Sequence, residues 1–169
     1  GVTHFQCGQR VMAYGGWGGA AEKVVVEASA LVPVPDRVSD AVAAGLSVTF
    51  GTAAHGLRER AGLQRGETVV VTGAAGGAGQ AAVEIAKLMG ARVIALGADE
   101  GIQFPGHDLK DAVKSLTNGK GADIVYDCIG GDATEPLVRA LAWKGRYLVV
   151  GFASGTIAKL PLNLLLVKG

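Results

Sequence analysis

No apolar run in this chain approaches the roughly 18 residues a helix needs to cross a bilayer. Residues Gly1 to Arg10 lack the basic-then-apolar layout of a secretory leader. A soluble, cytoplasmic protein is the expectation, with a mitochondrial location left open and no membrane partner. Cysteine is scarce: Cys7 and Cys128 are far apart and neither belongs to a C-x-x-C pair, so reduced structural thiols are expected rather than a disulfide framework. His4, His55 and His107 form no H-E-x-x-H or comparable set, so no metal site is expected from these residues. An excess of one charge is also lacking. The 16 basic and 15 acidic residues are interspersed and sum to +1, which leaves no basic stripe for nucleic acid.

What the chain has instead is hydrophobic residues, 49% of its 169 positions, and 27 glycines, a composition suited to buried parallel strands joined by tight turns. The two features meet in one stretch. Thr68 to Thr72 is a β-branched strand run, four glycines fall between 73 and 79, and Val83, Ile85, Ala86 and Leu88 to Met89 then recur at helical spacing until Gly90. A strand that enters a helix through glycines exposes unpaired N–H groups at the positive end of the helix dipole, where a diphosphate can dock if no side chain blocks it. Gly76 and Gly77 supply clearance in this reading, and Gly79 lets the helix lie close to the strand. The first glycine of G-x-G-x-x-G is replaced by Ala74, and Gln80 stands where a P-loop would need lysine, which argues against a nucleoside triphosphatase. The plainer alternative is a glycine turn used only for packing.

Taken in order, residues 9 to 35 read as a β-rich lead-in: strand 10–14, a glycine turn 15–19 and strand 21–26, with Trp17 anchoring the hairpin. Pro33 and Pro35 mark an extended crossing and a domain boundary. Ser39 caps a helix from Asp40, and a second helical run continues from about Val48 to Arg60. Its Thr49 and Thr52 hydroxyls can bond back to their own helix. Past the glycine stretch, strand 91–96 is followed after two residues by what reads as another strand, 99–104. A parallel neighbour needs a crossover of about a dozen residues or more, so residues are expected to be missing near 95–98. Asp99 sits about 20 to 25 residues past the glycines, where the ribose acid is usually sought, yet a lost crossover moves it to the start of the third strand. Helix 108–117, strand 123–129, helix 134–141 with Pro136 in its first turn, and strand 146–152 complete the βαβ rhythm. The run Leu164 to Leu166 must pack within the chain or be covered by further chain.

With these segments placed, the chain resembles the medium-chain dehydrogenase/reductase superfamily, in its zinc-free quinone oxidoreductase (zeta-crystallin-like) branch. The resemblance rests on Gly8-Gln-Arg-Val-Met-Ala, Gly16-Trp-Gly-Gly-Ala-Ala-Glu, Leu46-Ser-Val-Thr-Phe-Gly-Thr-Ala, Val71-Thr-Gly-Ala-Ala-Gly-Gly-Ala-Gly, Tyr126-Asp-Cys-Ile-Gly-Gly-Asp and Val149-Val-Gly-Phe-Ala-Ser-Gly, in that order. It implies an α/β fold: a Rossmann-type doubly wound parallel sheet at 41–169, preceded at 1–40 by the C-terminal part of a GroES-like β domain. The fold would be incomplete, lacking the crossover helix near 95–98 and the last strand, which pairs subunits in many members. A homodimer is therefore implied for the full-length protein.

The resemblance further implies that backbone N–H groups of Ala75, Gly76, Gly77 and Ala78 hold the cofactor pyrophosphate and that Ile129 covers the adenosine half. Gly151 and Phe152 would form the nicotinamide wall, with the Thr52 hydroxyl near the ring. NADPH is the expected cofactor, with NADH left open, since Phe104 stands where NADPH-specific members often have tyrosine. The structural zinc lobe of other branches would fall near residues 12–22, which contain no cysteine. The implied activity is hydride transfer to a quinone or an activated alkene. Reduction of an enoyl thioester and non-catalytic dinucleotide binding are the alternatives. No catalytic acid is assigned; Tyr14, Tyr126 and Tyr147 read as strand residues.

Overall fold

A computed structural model describes residues 3–97 and 108–169. The expected strand 99–104, with Asp99 and Phe104, lies outside the described residues. The chain divides into two compact units, Gly1–Gly51 and Thr52–Gly169.

In the first unit β1 (Val11–Ala13) pairs antiparallel with β2 (Leu31–Pro33). This corrects the expected hairpin, because residues 21–26 form no strand. Their β-branched composition is a local preference, whereas pairing goes to a more distant segment that buries Val34 just after it and continues the ladder through Val34 N–H to Arg10 O, 3.0 Å. Trp17 and Val25 are 91% and 99% exposed, so the tryptophan anchors nothing among the described residues of this unit. Pro33 tolerates its strand position because a two-stranded ribbon leaves edges where no donor is needed. Helix α1 (Asp40–Ala54) runs without a break into a π-helical turn, His55–Arg60, so the two expected helical runs are one. Ser39 Oγ accepts from Val42 N–H at 3.3 Å, the expected cap, and Thr49 Oγ1 donates to Gly45 O at 2.7 Å within the helix. The division between the units falls inside α1.

The second unit is built on a parallel sheet of β3 (Thr68–Thr72), β4 (Arg92–Leu96), β5 (Ala122–Asp127) and β6 (Leu141–Val149), in the order β4-β3-β5-β6. Every residue of β3 and β5 is buried, as expected of strands covered on both faces. Alternation puts Val70 and Val125 on one face, where they join Ile94, Leu96, Leu109, Val113, Leu137 and Leu141 in the main core. That face carries α3 (Leu109–Leu116) and α4 (Thr134–Ala140). Asp108 caps α3 through Asp111 N–H, 3.1 Å. The opposite face receives α2 (Gly77–Leu88) and the π-helical turn, where Gly56 lies against the Tyr126 ring. Strand β6 starts at Leu141, five residues before the expected start, because Lys144 adopts φ 59 and lets the Trp143-Lys144-Gly145 segment stay in the strand as an irregularity. The short α5 (Asn163–Lys168) buries Leu164 and leaves Leu165 and Leu166 exposed.

The amino-terminal end of the sheet is held by Arg146, whose guanidinium donates to both Glu67 carboxylate oxygens (2.9 and 2.7 Å) and to Ala61 O (2.9 Å). The Arg146 hydrogen bond holds the Glu67 carboxyl below its ordinary range. This end is remote from the glycine turn, which leaves the other end of the sheet free for a ligand.

Candidate cofactor site

The strand order places β4 on one side of β3 and β5 on the other, so the carboxyl ends of β3 and β5 flank the topological switch point, where open α/β sheets bind ligands. Strand β3 leads straight into the glycine turn. Ala74 N–H donates to Leu96 O (3.1 Å) and Gly76 N–H to Gly73 O (2.9 Å), which shapes the turn. The first bond of α2 is Gln80 N–H to Gly76 O, 2.8 Å, and no side chain caps the helix. The N–H groups of Gly77, Ala78 and Gly79 therefore precede the intrahelical ladder, at the positive end of the dipole. A Cβ added at Gly79 would overlap the Gly73 carbonyl oxygen and lie 2.6 Å from its carbon. Only glycine lets α2 start this close to the strand.

Most of the expected cofactor residues meet at this edge. Ala75, Gly76 and Gly77 are exposed and Ala78 is half-buried on the turn, although the Gly76 N–H is engaged within it. Ile129 packs on the turn: a Cβ at Gly73 would lie 3.3 Å from Ile129 Cγ1. The loops after β5 and β6 are laced together by Ala153 N–H to Cys128 O (3.2 Å), Ser154 N–H to Ile129 O (3.0 Å) and Gly131 N–H to Thr156 O (3.1 Å), which brings Gly151 and Phe152 beside Ile129. Thr52 is exposed, and its hydroxyl makes no hydrogen bond among the described residues; no described contact joins it to this cluster.

Beneath the cluster lies a group that sequence reasoning missed. Asp127, 2% exposed, accepts five hydrogen bonds. Its Oδ1 takes Thr72 Oγ1 (2.6 Å) and the N–H groups of Ile129 and Gly130 (3.0 Å each), while Oδ2 takes the Tyr147 hydroxyl (2.7 Å) and Thr134 Oγ1 (3.3 Å). Burial raises its pKa, but the hydrogen bonds from Thr72, Gly130, Tyr147 and Ile129 outweigh burial and hold the carboxyl below its ordinary range. Burial, with help from Asp127, pushes the Tyr147 phenol up, and burial pushes the neighbouring Cys128 thiol up to about 11. Neither is set up to release a proton near neutrality. The Tyr126 hydroxyl is buried without a partner among the described residues, and burial raises it to about 12. The available signal for Asp127 was a polar residue closing a strand just before a glycine-bearing turn, a position that Thr72 shares.

The arrangement offers backbone N–H groups to an anion and two laced loops as walls beside it, a fit for a dinucleotide lying across the switch point. Among the described residues no group of three or more His, Cys, Asp or Glu is placed to hold a metal ion. No described helix is long and apolar enough to cross a membrane.

Comparison with known proteins decides the family. The profile of the family described as zinc-binding dehydrogenase matches residues 77–169, from the start of α2 onward. The chain belongs to the medium-chain dehydrogenase/reductase superfamily, in its quinone oxidoreductase-like branch. It is 40% identical to a quinone oxidoreductase-like protein 2 homologue of Nematostella vectensis, matching 99% of this chain and 50% of that protein. It is 41% identical to quinone oxidoreductase-like protein 2 of Bos taurus, matching 99% and 52%. The chain thus spans about half the length of the curated relatives it matches. Both alignments run over 181 positions, more than the 169 residues present, so these relatives carry residues within the matched span that have no counterpart here. Among solved structures, quinone oxidoreductase of Pseudomonas syringae matches at TM-score 0.87 and 32% identity over 98% of this chain and 55% of that one. A mycobacterial protein complexed with NADPH matches at TM-score 0.76 and 30% identity, over 84% and 48%. The CurK enoyl reductase matches at TM-score 0.72 and 30% identity, over 85% and 46%. As a medium-chain dehydrogenase/reductase the chain is an oxidoreductase-family protein, and its sheet is the Rossmann-type part of that fold.

Proposed function

We propose that this chain forms the cofactor side of an NADPH-dependent oxidoreductase that passes hydride to a quinone or an activated alkene. The observation that carries this reading is the glycine turn at the switch point, where α2 starts against the strand with free N–H groups ahead of its first bond. Nicotinamide supplies the hydride when the cofactor is bound. The chain's own part is to hold the pyrophosphate with the N–H groups of Ala75, Gly77 and Ala78, cover the adenosine half with Ile129 and wall the ring with Gly151 and Phe152. The fixed walls exclude water and orient the ring toward the acceptor. Thr52 enters this reading through the family resemblance alone. NADPH as the ligand is supported by the complex of the mycobacterial neighbour, with NADH as the alternative dinucleotide.

The reaction is read as zinc-independent, since residues 12–22, where the structural zinc lobe of other branches would fall, contain no cysteine. A domain boundary near residue 40, a shortfall at the exit of β4 and a homodimer of the full-length protein belong to the same proposal. The extra alignment positions in the relatives support the shortfall, and the exposed Leu165, Leu166 and Val167 support association. Purified chain mixed with NADPH and an ortho-quinone is expected to show acceptor-dependent loss of nicotinamide absorbance. Binding without turnover of any acceptor would replace the reductase reading with dinucleotide binding alone. The enoyl reductase neighbour favours a second substrate class, and turnover of a crotonyl thioester in competition with quinone would select it.

A further inference from the structure

The group left without a role in the proposed function is the Asp127 network. Asp127 and Thr72 are the last residues of β5 and β3, so their 2.6 Å hydrogen bond spans the switch point itself. A buried carboxylate is tolerated only when its lone pairs are filled, and no Lys or Arg pairs with Asp127 among the described residues. All of its partners are neutral donors drawn from β3, β6, α4 and its own turn. The pattern of protons is set. Thr72 Oγ1 accepts from Cys128 N–H at 2.9 Å, which turns its own proton toward Asp127, and the Tyr147 phenol keeps its proton. Charge-assisted bonds of this kind are short and direction-dependent. Three of the five partners also lead directly to a cofactor wall: Thr72 precedes the glycine turn, the Ile129 side chain packs on Gly73, and Gly130 abuts the Phe152 ring.

We propose that Asp127 is a positioning residue of the cofactor cleft: through Thr72 on one side and the Ile129 and Gly130 N–H groups on the other, it sets the distance between the pyrophosphate turn and the loop walls. The proposal rests on the reading of this cleft as a nicotinamide-dinucleotide site. Asp127 touches no reacting atom in this scheme; it acts by keeping the two halves of the cleft in register. A neutral hydrogen-bonding residue could staple the strands together, but it would leave at least one of the turn N–H groups, the Thr72 hydroxyl or the Tyr147 hydroxyl without its acceptor.

The test is NADPH fluorescence titration of the whole chain, with thermal melting of the same samples. Thr72→Val removes the bridging hydroxyl at nearly constant volume and is expected to raise the NADPH dissociation constant at least about tenfold, the equivalent of about one buried hydrogen bond. Thr72→Ser restores the hydroxyl and is expected to bring the constant back close to the starting value. Asp127→Asn is expected to weaken binding at least as much as Thr72→Val. Val113→Ala, a core truncation in α3, lowers the melting temperature and leaves the constant unchanged. Should Asp127→Asn fail to fold, the Thr72 pair carries the test. If Thr72→Val melts lower, as Val113→Ala does, yet binds NADPH as the unaltered chain does, the network is a staple only and the positioning role is overturned. Failure of the unaltered chain to bind either NADPH or NADH overturns the dinucleotide reading first, and the positioning role with it.

Discussion

Gly79→Ala is expected to abolish NADPH binding and to destabilise the second unit by about 3 kcal/mol or more. The added methyl would overlap the Gly73 carbonyl oxygen, lie 2.6 Å from the Gly73 carbonyl carbon and lie 2.9 Å from Ala74 Cα. All three neighbours are backbone, so no side chain can swing aside to make room. The start of α2 must move away from β3 or the turn must open, and either change displaces the N–H groups of Gly77 and Ala78. Gly79 is also buried, so the methyl cannot escape into solvent. Chemical denaturation and NADPH titration of the variant measure the two effects. A variant with ordinary stability and an unchanged dissociation constant would show that close helix–strand contact is not what builds this site.

Gly130→Ala is the second change with a large expected effect, and its signature differs. Gly130 has φ 68 and ψ −153, a region in which a side chain costs about 1–3 kcal/mol. Its Cβ would lie 2.9 Å from Phe152 Cδ1 and 3.3 Å from Thr156 O. Phe152 is 44% exposed, so its ring can move outward and relieve part of the overlap. Stability is expected to fall by about 2 kcal/mol from backbone strain. The displaced ring is expected to lower quinone reduction at least about tenfold, because a small misplacement of a positioned reactant is costly, with a smaller change in NADPH affinity. The double change Gly130→Ala with Phe152→Ala is expected to fall little further in rate, since both act on one wall. Steady-state kinetics of the three variants decide the matter, and independent, multiplying losses would contradict it.

What was legible in the sequence was local. The β3-turn-α2 unit could be read because its strand composition, its glycines and its helical spacing lie within about twenty consecutive residues, and the cap at Ser39 depends on a residue three positions away. Partners distant along the chain were not legible. Residues 21–26 have strand composition, but β1 pairs with Leu31–Pro33 instead. Two helical runs were expected, from Asp40 and from about Val48, yet α1 is continuous from Asp40 to Ala54. At the site, the turn residues and the loops carrying Ile129, Gly151 and Phe152 were legible as separate segments, and the structure laces them together. Asp127 was not, because its donors stand at sequence positions from 72 to 147 and only the parallel sheet makes them neighbours.

The central claim is that a nicotinamide dinucleotide lies across the carboxyl ends of β3 and β5. Hydrogen–deuterium exchange of the whole chain with and without NADPH tests it most directly. The account predicts protection concentrated in residues 73–80, 128–131 and 151–156. Protection centred elsewhere, with the glycine turn exchanging equally in both states, would contradict it.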